Sequence, residues 1–285
     1  MIGLNRRRVM VGGKKDIDYS QEYLTFVALE NGTFSLSGND VYYSINKGAT
    51  WSLLAAGTQS PTIARGKSIM WKGELTPTSG SGVGTFSSTG MFDAQGNAMS
   101  LLYGDDFKEK ALKNYAFAYL LRNSKIINAV NVSLPTKTLT GSCYRAMFYN
   151  CISLVSVPEL PATALNAHCY RAMFHGCISL VSVPELPAKT LNSYCYYQMF
   201  YNCPSLVSAP ELPATTLKAN CYGAMFSGCT SLNYIKCLAT NLSASGSLTN
   251  WVLNVSTTGT FVKDSSTTWV TGVDGIPEGW TIESA

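Results

Sequence analysis

Residues 134–159 read LPTKTLTGSCYRAMFYNCISLVSVPE, and three more stretches repeat them: LPATALNAHCYRAMFHGCISLVSVPE over 160–185, LPAKTLNSYCYYQMFYNCPSLVSAPE over 186–211 and LPATTLKANCYGAMFSGCTSLNYIKC over 212–237. Four units of 26 fill the 104 residues from 134 to 237 without an insertion. A divergent leading unit precedes them. Leu120-Leu121-Arg122-Asn123 matches Met147-Phe148-Tyr149-Asn150 at an offset of 27, with Ala116 and Ser124 where later units carry Cys. One such unit cannot bury its apolar side chains alone, but stacked units share a continuous core, and terminal units diverge because one side lacks a neighbour.

A 26-residue period lies within the leucine-rich repeat range of roughly 20–29 residues. Leu154-Val155-Ser156-Val157 alternates like a short strand, and Pro158 and Pro161 turn the chain. Leu165, Cys169 and Met173, with Tyr170, Phe174 and Cys177, fall at the spacing of one apolar helical face. The expected unit is therefore strand, Pro turn and short helix. In-register stacking places Cys143, Cys169, Cys195 and Cys221 in one ladder and Cys151, Cys177, Cys203 and Cys229 in another, leaving Cys237 over. Buried apolar thiols are the expected reading. Disulfides are the rival. Zinc is weaker, because no C-x-x-C occurs and the two Cys of a unit are eight apart.

Removing the apolar face leaves positions 9, 12, 13 and 16 of each unit pointing outward on a helical reading. They carry the candidate ligand-binding stripe: Arg145, Tyr149, His168, Arg171, His175, Tyr194, Tyr197 and Tyr201. Tyr, Arg and His are what recognition surfaces favour; an ordinary outer face tolerant of drift is the alternative. His168 and His175, the only two histidines, would lie about 10.5 Å apart along a helix axis. That is too far to share a metal, and no metal is expected. Glu159, Glu185 and Glu211 form a like-charged ladder, which reads as a solvated edge, with a bridging cation as a minor alternative.

Residues 19–106 have another texture. Tyr23–Val27, Thr33–Leu36, Val41–Ile45, Trp51–Leu54 and Ser68–Trp71 are short, β-prone runs separated by Asn-Gly and Gly-Asn-Asp turn signals, which predicts a small antiparallel β-sandwich. Gly66-Lys67-Ser68 is not a phosphate loop, because Pro61 stands where its first Gly is needed. Gly80-Ser81-Gly82 lacks the strand–helix setting of a dinucleotide site. The acids Glu22, Glu30, Asp40, Glu74 and Asp93 lie mostly beside turns. No Ser/His/acid or Cys/His trio can be assembled, so no catalytic residue and no cofactor are expected.

The whole chain of 285 residues is 46% hydrophobic and only 13% charged, with a net charge of +4. That excludes a disordered tail and argues against a nucleic-acid partner. No run of 18 apolar residues exists, so no membrane span is expected. Residues 1–18 carry five Lys/Arg, among them Arg6–Arg8, and read as a basic N-terminal arm, either solvated or docking onto an acidic surface of a larger particle. Val9-Met10-Val11 is too short for the core of a secretory signal, so none is read. The 26-residue period is expected to end at Cys237. Beyond it, Trp251, Trp269 and Trp280 suggest a C-terminal cap.

The unit LPATTL…CY..MF..C.SL with its APELP and VPELP turns, together with Gly259-Thr260-Phe261-Val262-Lys263 and Gly275-Ile276-Pro277-Glu278-Gly279-Trp280-Thr281-Ile282, resembles BspA-like leucine-rich repeat proteins of gut Bacteroidales and the phages that infect them. Tyr23–Trp71 resembles the β-sandwich module placed before such repeats, and Met1–Lys15 resembles the start of phage structural proteins. The expected architecture is α+β: a basic arm (1–18), an antiparallel β-sandwich (19–106), a leucine-rich repeat solenoid (107–237) and a C-terminal cap (238–285). The resemblance implies adhesion without catalysis. The leading expectation is an attachment or decoration protein of a phage or prophage particle. It would bind a bacterial surface glycan or protein through the repeats, and join other virion proteins through the arm. A BspA-like adhesin on the bacterial cell surface is the alternative. A carbohydrate-active enzyme fares worst, since glycoside hydrolysis needs two placed carboxylates.

Overall fold

A computed structural model describes residues 18–134 and 138–285. The expected arm therefore lies, except for Asp18, outside the described residues. Among the described residues there are eleven strands: β1 (Leu24–Ala28), β2 (Phe34–Leu36), β3 (Val41–Ser44), β4 (Ser52–Leu54), β5 (Ser68–Lys72), β6 (Phe86–Ser88), β7 (Phe92–Asn97), β8 (Asn131–Ser133), β9 (Tyr234–Cys237), β10 (Thr260–Lys263) and β11 (Thr281–Ser284). One four-residue helix, α1 (Ser100–Tyr103), follows β7, with a 3₁₀ turn (Gly104–Asp106) directly after it and another (Tyr19–Gln21) before β1. The fold is β-rich.

The five β-prone runs between Tyr23 and Trp71 form β1 to β5. β6 and β7 had no sequence signal, because Phe92-Asp93-Ala94-Gln95-Gly96-Asn97 is poor in β-branched residues. The order β4-β3-β5-β1-β7-β8 makes a six-stranded sheet, antiparallel except for β7 against β8. β2 and β6 form a separate ribbon. Its Phe34 and Phe86 pack on Phe26 of the sheet at 5.4 and 4.9 Å between ring centroids. Trp71 and Phe92 complete this aromatic core, fully out of water.

Among the described residues of the repeat the expected helices are absent, so the chain is β-rich with very few helical residues. Each unit instead carries a run of linked turns. In the 134–159 unit, the N–H groups of Arg145, Met147 and Tyr149 donate to the carbonyls three residues back. Those of Tyr144, Ala146, Phe148 and Asn150 donate across to Cys169, Arg171, Met173 and His175 of the following unit. The chain can alternate in this way because Ser142, Ala146 and Asn150 sit at φ of 56°, 52° and 54°. A left-handed residue at every fourth position costs about 1–2 kcal/mol each for a non-glycine and forbids an α-helix. The cross-unit hydrogen bonds offset that cost. A two-turn helix would satisfy its own backbone and leave its neighbours unbonded, and it would be marginal by itself.

The same three left-handed positions recur in every unit, at Tyr115, Tyr119 and Asn123 and, after Cys237, at Gly246, Asn250 and Asn254. The period therefore does not end at Cys237. Asn220, Tyr222, Ala224, Phe226 and Gly228 donate onward to Ser245, Ser247, Thr249, Trp251 and Leu253, and β10 pairs with β9 at an offset of 26. The sequence hides this last unit because Ser247, Leu248, Trp251, Val252 and Val255 stand where the earlier units carry Cys, Tyr, Met, Phe and Cys, while the backbone register persists. Hydrogen bonds also tie the leading unit to the ribbon and the sheet: Phe86 of β6 donates to the Leu120 carbonyl, and β8 extends the sheet beyond β7.

Side chains follow the backbone in register. Tyr144, Tyr170, Tyr196 and Tyr222 stack at 5.8, 5.9 and 6.0 Å, and Phe148, Phe174, Phe200 and Phe226 at 5.5, 5.7 and 5.8 Å. All nine cysteines are buried and unpaired. The thiols of Cys151, Cys177, Cys203 and Cys229 donate to the carbonyls of Leu121, Phe148, Phe174 and Phe200 at 2.9–3.1 Å. Cysteine here is a small buried side chain that also satisfies a backbone acceptor of the preceding unit. Glu159, Glu185 and Glu211 are exposed, and Glu211 pairs with Lys236 at 2.9 Å.

Candidate functional site

The outer side of the turn runs carries the eight stripe residues. Within a unit, the four-residue turn period sends two neighbours inward (Cys143 and Tyr144, Met147 and Phe148) and leaves Arg145 and Tyr149 half-exposed between them. The helical reading placed position 13 outward as well. Ala146, Ala172 and Ala224 are buried there, because that position holds the left-handed turn and faces the next unit's backbone. Ser142 and Ser227 are also buried.

The stripe resolves into rows that run from unit to unit. Tyr149, His175 and Tyr201 stack face to face, with centroids 4.3 and 4.7 Å apart. Arg122 of the leading unit continues that row, its guanidinium 5.2 Å from the Tyr149 ring. A second row stacks His168 on Tyr194 at 4.8 Å. Between the rows, Arg171 lies 5.2 Å from the Tyr197 ring and 5.8 Å from Tyr194, and Arg145 lies 5.5 Å from Tyr119. All eight residues are thus brought together. Arg122 and Tyr119 belong to the same surface and were not among them; the 27-residue offset that aligns Arg122 with Tyr149 was the available signal.

Tyr149 and His175 have both ring faces against a neighbouring ring or guanidinium, and Tyr201, His168 and Tyr194 each have at least one face against a neighbour. The Nδ1 atoms of His168 and His175 are buried without a hydrogen-bond partner. A proton there would be an unsatisfied buried donor, so the neutral ring is best protonated at Nε2. Burial lowers the pKa of both histidines, and the nearby Arg171 and Arg145 lower that of His168 further. Both rings are therefore held neutral in the stack.

The sheet carries a pocket of about 400 Å³ lined by Tyr42, Trp51, Lys72, Glu74 and Asp105. Lys72 pairs with Asp105 at 2.7 Å and lies 4.5 Å over the Trp51 ring. Tyr23 donates to Asp105 at 2.6 Å, and burial together with that carboxylate pushes its phenol up to about 12. Asp105 is thereby engaged by two partners. Other acids of this half serve as loop staples: Glu30 accepts from the Met91 N–H, Asp40 from Ala56 and Asp93 from Asn128. Among the described residues no group of three His, Cys, Asp or Glu is placed to hold a metal. No helix there is long and apolar enough to cross a membrane.

Compared with known proteins, the chain matches no family model, and neither a curated protein nor a solved structure is significantly similar to it.

Proposed function

We propose that the chain is a non-catalytic attachment protein. It would bind a bacterial surface glycan or protein through the outer rows Arg122–Tyr149–His175–Tyr201 and His168–Tyr194, with Arg145, Arg171 and Tyr197 between them. The reading includes the architecture expected from the sequence: a leucine-rich repeat solenoid of the BspA-like kind, behind a β-sandwich and closed by a C-terminal cap. The observation that carries it is the concentration of Tyr, His and Arg in continuous rows on one side of the repeated units. Such side chains dominate binding energetics at recognition surfaces. Repeat stacks characteristically use an extended face for binding. The resemblance of Met1–Lys15 to phage structural proteins favours a phage or prophage particle as the carrier, with the bacterial cell surface as the alternative.

The test is adhesion of the labelled full chain to intact Bacteroidales cells. Tyr149→Phe, Tyr194→Phe, Tyr197→Phe and Tyr201→Phe, combined, keep the rings and remove the hydroxyl tips. Loss of adhesion with an unchanged Tm is expected. Undiminished adhesion of the combined variant, or failure of the wild-type chain to adhere to any strain in the set, overturns the assignment.

A further inference from the structure

We propose that the ligand of these rows is an acidic polysaccharide, recognised through its carboxylates by Arg122, Arg145 and Arg171; this rests on the attachment reading above. The three guanidiniums come from three successive units. Among the described residues none of them forms an ion pair or donates a hydrogen bond to the protein. Each is held against aromatic rings at 5.2–5.8 Å instead. A cation lying on a ring face keeps its N–H edge available, and the planar fork of arginine matches a carboxylate in two parallel hydrogen bonds. From residue 110 to residue 263 the sequence has eleven Lys/Arg and three acids, and those acids, Glu159, Glu185 and Glu211, follow the Pro158, Pro184 and Pro210 turns rather than the rows.

The remaining tips are hydroxyls and imidazoles, which complement the hydroxyl-rich body of a sugar chain. A polymer with regularly spaced charges suits a donor set repeated unit by unit, because each further arginine engages the same molecule at high effective concentration. The rows also disfavour the other common polyanion. Single-stranded nucleic acid binds through bases stacked on free aromatic faces, and here Tyr149 and His175 have both faces covered, while Tyr201, His168 and Tyr194 each use a face on a neighbouring ring.

The experiment measures binding of the full chain to immobilised polygalacturonate, to its carboxyl-reduced neutral form, to poly(glycerol phosphate), to polyglutamate and to a single-stranded DNA oligonucleotide, at low and high salt. Polygalacturonate binding that weakens with salt and falls at least tenfold on carboxyl reduction is expected, with weaker binding of the other three polyanions. Arg122→Gln, Arg145→Gln and Arg171→Gln, combined, should abolish it. Lys47→Gln, Lys67→Gln and Lys189→Gln, which remove the same charge elsewhere, should leave it within twofold. Equal binding of the neutral polymer, equal loss in the lysine variant, or tighter binding to phosphate polymer, polyglutamate or DNA overturns the proposal. Should the arginine variant fold poorly, the reduced-polymer and salt measurements on the wild-type chain decide alone. If cells are bound while polygalacturonate is not, the acidic-glycan inference falls and the attachment reading stands; if neither is bound, both fall.

Discussion

The side-chain oxygen of Asn150 occupies the space that a Cβ on Gly176 would need. The two residues stand one unit apart, both in the left-handed region, with φ of 54° and 71°. Asn202 and Gly228 repeat the arrangement. Gly176→Ala should therefore cost both a left-handed alanine and a collision, about 2–4 kcal/mol together. Asn150→Gly removes the obstructing side chain and keeps the backbone permissive. In the double variant the loss should shrink to about 1–2 kcal/mol, the backbone part alone. Chemical denaturation of the four proteins checks this. A double variant no more stable than Gly176→Ala would show that the carboxamide is not the obstacle.

That pair also shows what was legible in the sequence. Unit length, register, both cysteine ladders and the outward placement of positions 12 and 16 in the first three units followed from the repeat, whereas position 13 was read outward and is buried at Ala146, Ala172 and Ala224. The local backbone did not follow. Cys143, Met147 and Cys151 are four apart, and a four-residue turn period and a 3.6-residue helix are nearly indistinguishable over eight residues. The alternation of Asn150, Gly176, Asn202 and Gly228 at one position was the missed clue, since Asn and Gly are the residues that tolerate positive φ. The last unit was missed for a different reason. Trp251 fills the end of both aromatic columns with one side chain, so the spacing persisted while the letters changed.

Trp251 should accordingly be the most sensitive single position of the C-terminal part. Its ring lies 6.3 Å from Tyr222 and 6.2 Å from Phe226, is fully buried, and donates from Nε1 to the Gly275 carbonyl at 2.7 Å. Trp251→Ala leaves a large cavity and an unpaired carbonyl, a loss of about 3–5 kcal/mol. Trp251→Phe keeps most of the packing and should lose less than half of that. A smaller loss for Trp251→Ala than for Trp251→Phe in thermal unfolding would contradict the packing assignment.

The thiols should be silent in the folded protein. Burial pushes Cys143, Cys151, Cys229 and Cys237 up to about 12, so almost no thiolate exists at pH 8 and reagents cannot reach the sulfur. Titration with a thiol reagent should find no fast-reacting group in native protein and all nine after denaturation in guanidinium. Fewer than nine after denaturation would indicate disulfides.

Both histidines have folded pKa values below the ordinary 6.5. The unfolded chain therefore takes up protons first as pH falls, and stability from these groups, present above about 6.5, is lost on acidification below it. NMR titration should give midpoints below 6.5 for both rings, and denaturation midpoints should decline from pH 7 to pH 5.5. His175→Phe, which keeps the stack without the titrating group, should flatten part of that decline. A midpoint above 6.5 for His175 would mean that the ring is not desolvated between Tyr149 and Tyr201.

The outer rows contribute to stability as well as to the surface, which determines how binding can be probed. His175 stacks on Tyr149 and on Tyr201, and each such pair is worth about 0.5–1.5 kcal/mol beyond burial. His175→Ala should therefore cost about 1–3 kcal/mol, and combined alanine substitution of Tyr149, Arg171, Tyr197 and Tyr201 should lower Tm visibly. Arg171→Gln should cost only about 0.5–1 kcal/mol, the scale of an exposed cation–π contact. Calorimetry of these variants separates the two roles. If the fourfold alanine variant melts like the wild type, the rings are not stacked in solution, and their faces, rather than their edges and tips, are what a ligand meets.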